Sequence, residues 1–141
     1  MMIQEEQVRV LFAAEDRMAC IAAASAERFV REVFLRDGVV LGFDRESVEW
    51  LDAHIEDLIE RTGKETADYV ELTLGAYLGE CVRRAFGGRW AYHPRLEQWA
   101  IFVSGYHLFP RAQVMARYLD GAGESLATYF LRLRWMLHTD R

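Results

Sequence analysis

The stretch Gly75-Ala76-Tyr77-Leu78-Gly79-Glu80-Cys81-Val82-Arg83-Arg84-Ala85-Phe86-Gly87-Gly88-Arg89-Trp90 holds the change of pattern that decides the fold. Up to Phe86 the apolar residues fall at helical steps. Ala67, Val70, Leu74, Leu78, Cys81, Val82 and Ala85 mark the buried side of a helix predicted over about 64–86. Gly75 and Gly79 stand one turn apart inside it. Each costs a helix interior about 1 kcal/mol against alanine, so something must offset them, and close approach of another backbone is the expected cause. Gly87-Gly88 ends the helix, and rough alternation takes over. Trp90 to Pro94 and Gln98 to Val103 read as a β-hairpin, extended by Tyr106 to Phe109. Pro110 suits the first turn of a helix running to Leu119. After the turn Asp120-Gly121-Ala122-Gly123, a last helix over about 124–138 packs through Leu126, Tyr129, Phe130, Leu133 and Leu137.

Upstream, Val8, Phe12, Met18, Ile21, Ala22, Phe29 and Val33 recur at helical steps across 4–36, with a polar gap at Glu15 and Asp16. We read one long helix bent near residue 15, with a strand over 7–13 as the competing assignment. Asp37-Gly38 ends it, and Val39 to Phe43 is an extended connector. Asp44 fits an N-cap for a helix over 45–61. Its apolar face is Val48, Leu51, Ile55, Leu58 and Ile59; its opposite face carries Glu49, Asp52, Glu56, Asp57 and Glu60. Trp50 and His54 are i,i+4 neighbours on the flank. The plan is one α+β domain over 1–141, dominated by about five helices, with a β-hairpin or small antiparallel sheet after the third.

At 141 residues and 52% hydrophobic, the chain is long and apolar enough to bury its own core, which excludes disorder. No stretch reaches the about 18–20 apolar residues of a membrane span. The start Met-Met-Ile-Gln-Glu-Glu is acidic where a signal peptide is basic, so a cytoplasmic protein is expected. Cys20 and Cys81 lie among apolar neighbours and are expected to be reduced and buried. Sixteen of the 17 basic residues are arginine, and alanine is abundant; we read a GC-rich bacterial genome, which weakens the arginines as a sign of phosphate recognition. The net charge of −5 divides unevenly: residues 1–80 carry 18 acidic and 8 basic side chains, residues 81–141 carry 4 and 9. Either the two halves complement each other within the fold, or the early helices offer an acidic face to a basic protein partner.

Glu80 follows a glycine on an otherwise apolar helix and precedes Arg83 and Arg84. A carboxylate there must be paired or reach water, as a structural ion pair or as a ligand-binding group. His54, His93, His107 and His138 show no i,i+3 or i,i+4 pairing, so spacing predicts no metal site, although Glu80, His93 and His107 could meet in space. Val103-Ser104-Gly105 lacks the context of a nucleophile elbow, no phosphate-cradling glycine motif occurs, and no cofactor is expected. Trp90, Tyr92, Trp99, Phe102 and Tyr106, near Arg83, Arg84, Arg89 and Arg95, would suit a nucleic acid or acidic peptide if they lined a groove. The acidic balance disfavours nucleic acid.

The run Gly75-Ala76-Tyr77-Leu78-Gly79-Glu80, then Gly87-Gly88-Arg89-Trp90, a hairpin and the helix begun by Pro110, resembles a group of small bacterial domains of unknown function. Glu46 to Asp52 is similar to that group's second helix, and the likeness covers roughly 44–135. It implies no activity; through related toxin-immunity and secretion loci it implies an immunity-type or accessory factor. Two functions follow. The first is a non-enzymatic module binding a basic protein through Asp52, Glu56, Trp50 and His54, with a homodimer open. The second is a small-molecule-binding or hydrolytic domain centred on Glu80, Trp90 and His93. A deep pocket lined by Glu80 would favour the second, and a flat acidic face the first.

Overall fold

Helix α1, Glu5–Asp37, is one continuous helix of 33 residues, with no strand at 7–13. Its buried row is Glu15, Met18, Ala22, Ala26, Phe29 and Val33, a run of three- and four-residue steps that includes the supposed polar gap. Phe12 and Ile21, expected in the core, are 56% and 63% exposed because they fall on either side of this row. Cys20 points away from the row and is exposed, so only Cys81 fits the expectation of burial. The structure, a computed structural model, describes residues 4–139. Met1 to Ile3 of the acidic start, and Asp140 and Arg141 of the domain read over 1–141, lie outside the described residues.

Helix α2, Arg45–Thr62, begins where Asp44 accepts the Ser47 N–H at 3.0 Å. The helix predicted over 64–86 is three pieces: α3, Ala67–Tyr69; a π-helical segment, Val70–Leu74; and α4, Gly75–Phe86. The Gly75 N–H reaches back five residues to the Val70 carbonyl. Ala85, assigned to the buried side, is exposed.

Strands β1, Arg89–His93, β2, Gln98–Val103, and β3, Tyr106–Leu108, form an antiparallel meander. Ser104 and Gly105 link β2 to β3 with φ of 51° and 83°, the paired left-handed geometry of a two-residue hairpin turn. Trp90 lies opposite Ile101 and Tyr92 opposite Trp99 on one face of the sheet. His93 and Arg89 lie on the other, with Phe102 and His107. Helices α5, Pro110–Asp120, and α6, Leu126–Thr139, complete a helix-dominated α+β fold, with a 3₁₀ turn at Ala122–Glu124 between them.

The helix glycines have a specific cause. A Cβ on Gly79 would sit 2.4 Å from the Trp90 ring and 3.2 Å from Pro110, so a side chain, not a backbone, fills the notch. A Cβ on Gly75 would meet Arg111 Cγ at 2.9 Å and its Cα at 3.3 Å. The two glycines seat the indole of β1 and the start of α5 against α4. One apolar cluster joins α1, α2, α4, the inner face of the sheet, α5 and α6.

Candidate functional site

Glu80 is wholly buried, and five N–H groups converge on its two oxygens. Arg83 clamps it bidentately through Nε at 2.7 Å and Nη2 at 2.9 Å. Arg84 donates from Nε and Nη2 at 3.3 and 3.2 Å, and the Trp90 indole N–H at 3.0 Å. Burial pushes this carboxyl up, but the hydrogen bonds from Arg83 and Trp90 and the guanidinium charge outweigh it and hold the group below the usual carboxylate range. Arg84 also reaches Glu27 on α1 at 3.2 Å and lies 3.7 Å over the Phe43 ring. The cluster therefore ties α4, β1, α1 and the 38–44 connector together.

His93 does not join it. Trp90 and His93 project from opposite faces of the sheet, which places His93 away from Glu80. The His93 ring instead packs edge-on to His107 at 4.8 Å, beside Phe109 at 5.9 Å, and its Nδ1 accepts the Leu96 N–H at 3.2 Å. Glu80, His93 and His107 are thus not assembled. Among the described residues no group of three or more His, Cys, Asp or Glu side chains comes together as a metal site. The five aromatics of the sheet do not form one groove either: Trp90 is buried in the core, Tyr92 packs on Trp99, and Phe102 faces the other way.

On α2 the four candidates divide. His54 is buried, stacks on half-buried Trp50 at 4.8 Å, and meets the Tyr69 hydroxyl at 3.3 Å. Burial, with Arg36 nearby, lowers its pKa below the ordinary value, and burial raises that of Tyr69 to about 12. Asp52 is turned inward. Its oxygens accept the N–H groups of Leu126 and Ala127 at 2.8 and 2.9 Å, the Ser125 hydroxyl at 3.1 Å and Arg117 Nε at 3.1 Å. It caps the start of α6 from a different helix, where a negative charge is favoured. Arg117, 4% exposed, also donates to Glu56 at 3.0 Å. A C-terminal arginine therefore covers Asp52 and part of Glu56, which corrects the expectation of an open acidic row at those two positions.

Two residues carry more than sequence reading assigned them. Arg117 was not singled out at all. Glu15 was read as a gap, yet it is buried and accepts the Tyr92 N–H at 2.8 Å along the outer edge of β1, with Arg89 at 3.6 Å. Its place in the row 15–18–22–26–29–33 is the signal that could have found it. Beside it runs an open groove of about 690 Å³ between α1 and the α4–β1 junction, lined by Asp16, Cys20, Arg83, Arg89 and Trp90 among others, but not by Glu80. Its charged lining is mixed, Glu15 and Asp16 together with Arg83 and Arg89. No helix among the described residues is long and apolar enough to cross a membrane. Compared with known proteins, the chain matches no family model, no curated protein and no solved structure.

Proposed function

We propose that this chain is a protein-interaction module of the immunity or accessory kind, which meets a basic protein partner through the acid-rich surface of 45–71. That segment holds nine acidic and three basic side chains. The observation that carries the reading is what remains outside once the fold has taken its share. Asp52 is turned inward, Glu49 pairs with Arg45 and Asp57 with Arg61, while Glu46, Glu60, Glu65, Asp68 and Glu71 are exposed with no ion pair among the described residues. Like charges left open at this density favour a cationic surface and raise its rate of encounter. The engagement of both Glu80 oxygens inside the fold supports a module over a hydrolytic domain.

Reversing Glu60 and Glu65 to lysine tests this, since both are exposed, neither is ion-paired among the described residues, and neither stands in the first turn of a helix. Captured from the native cells at low salt, the wild-type chain retains a partner of high isoelectric point that the double variant loses, with an unchanged melting temperature. Equal recovery by both chains refutes the acidic surface as the binding face.

A further inference from the structure

We propose that two copies of this chain pair through the outer face of α1, antiparallel, about a twofold axis level with residue 22. Opposite its buried row, α1 presents a second row of exposed side chains, of which Glu27 also pairs with Arg84 of α4 at 3.2 Å while its side chain stays 65% exposed. Val10, Arg17, Ala24 and Arg31 recur every seven residues, and so do Ala13, Cys20, Glu27 and Phe34; all eight are exposed. These are the two sets of positions that form the seam of a two-helix coiled coil. The row spans about 36 Å at 1.5 Å per residue.

Charge decides the orientation. Parallel copies in register would set Arg17, Glu27 and Arg31 each against itself. Antiparallel copies place each member of the first set against a member of the second whose number adds to 44. Arg17 then faces Glu27 of the second copy, twice by symmetry. Ala24 faces Cys20, two small side chains that let the helices approach closely at the centre. Arg31 faces Ala13, which leaves room for its stem, and Val10 faces Phe34. The seat for Val10 is already shaped: Phe34, Val30, Val40 and Phe43 line a hollow beside the helix, and Val40 is 81% exposed. Ile21, 63% exposed, comes against its own twin beside the axis. One register thus gives Val10, Ile21 and Phe34 apolar neighbours and sets Arg17 against Glu27 in both charged layers. This surface is separate from the acidic one on α2, so the two proposals stand or fall apart.

Arg17→Glu and Glu27→Arg test the register in trans. Sedimentation over a dilution series should show a wild-type dimer, and each variant alone should dissociate at about tenfold or more higher concentration, because both layers become like-charged. Mixed in equal amounts, the two variants restore both layers and form the heterodimer. A second test fixes the geometry. Ala24→Cys, treated with diamide, links covalently to Cys20 of the second copy, whereas Ala13→Cys, which faces Arg31, links no faster than wild type. Melting temperatures confirm that each variant is folded. A monomeric wild type, a dimer insensitive to Arg17→Glu, a mixture that fails to recover, or cross-linking no faster with Ala24→Cys than without it each overturns the proposal.

Discussion

Two acidic side chains gather arginines in this molecule, over very different spans of chain. Glu80 draws its partners from three, four and ten residues away: Arg83, Arg84 and Trp90. Asp52 draws on Arg117, Ser125, Leu126 and Ala127, 65 to 75 residues away. The first network can close once α4 and β1 exist. The second exists only after α5 and α6 have docked on α2. They also differ in what they hold: charged and indole N–H groups around Glu80, a helix N-terminus and one buried guanidinium around Asp52. Glu80 therefore depends on its full negative charge, and Asp52 depends more on having two acceptor oxygens at the right place.

The sharpest way to break the Glu80 side is through its packing. Gly79→Leu should destabilise the fold by more than about 3 kcal/mol, since even a methyl group there overlaps the indole that donates to Glu80. A thermal melt that moves by only a few degrees would mean that Trp90 has somewhere else to go. Glu80→Gln should cost about 3 kcal/mol, because a neutral amide turns donors toward the arginines and leaves buried polar groups mispaired. Asp52→Ala should cost about 2 kcal/mol, through loss of the α6 cap and of the Arg117 partner. Asp52→Asn should recover about half of that, as asparagine is a good cap. Equal rescue by the amide at both positions, measured by urea unfolding, would erase the distinction.

The smallest effect is in pH. His54 is held neutral by burial, so its folded pKa lies below the unfolded value of about 6.5. Between those two values the unfolded chain binds more protons, so stability falls as pH drops below about 6.5 and levels off once the folded value is passed. Glu80 acts lower: its stabilisation is present above about 4.3, the unfolded carboxyl value, and is lost as pH falls through the depressed folded value. His54→Gln should remove the upper step of the melting temperature against pH and leave the lower one. A profile that His54→Gln leaves unchanged would show that His54 does not titrate as described.

The same difference in span explains what the sequence disclosed. The pairing of Glu80 with Arg83 and Arg84 is a helix-spacing statement and was readable, as were Asp44 as a cap, the hairpin and the start of α5 at Pro110. Asp52 reads as a surface acid on its own helix, and nothing in residues 45–62 signals that the start of α6 will arrive above it. Cys20 misled because chain neighbours on a helix are not spatial neighbours: Met18 and Ala22 face the core, and Cys20, midway between them, faces out. At Gly79 the need for close approach was clear from its cost, but whether a backbone or a ring would fill the notch depended on where β1 turned.

The π-helical segment Val70–Leu74 has a consequence of another kind. Such a segment is an α-helix carrying one residue more than its hydrogen-bond ladder requires, and the surplus is taken up locally, so the faces before and after it keep their bearings. Leu72 lies in this segment and is 53% exposed. Excising it would shorten the chain by one residue and leave Gly75 bonding the same Val70 carbonyl, now four residues back as in an α-helix, with Gly79 still beneath Trp90. The chain thus contains a point at which its length is not fixed by its fold, seven residues before a glycine that has no room for even a methyl group.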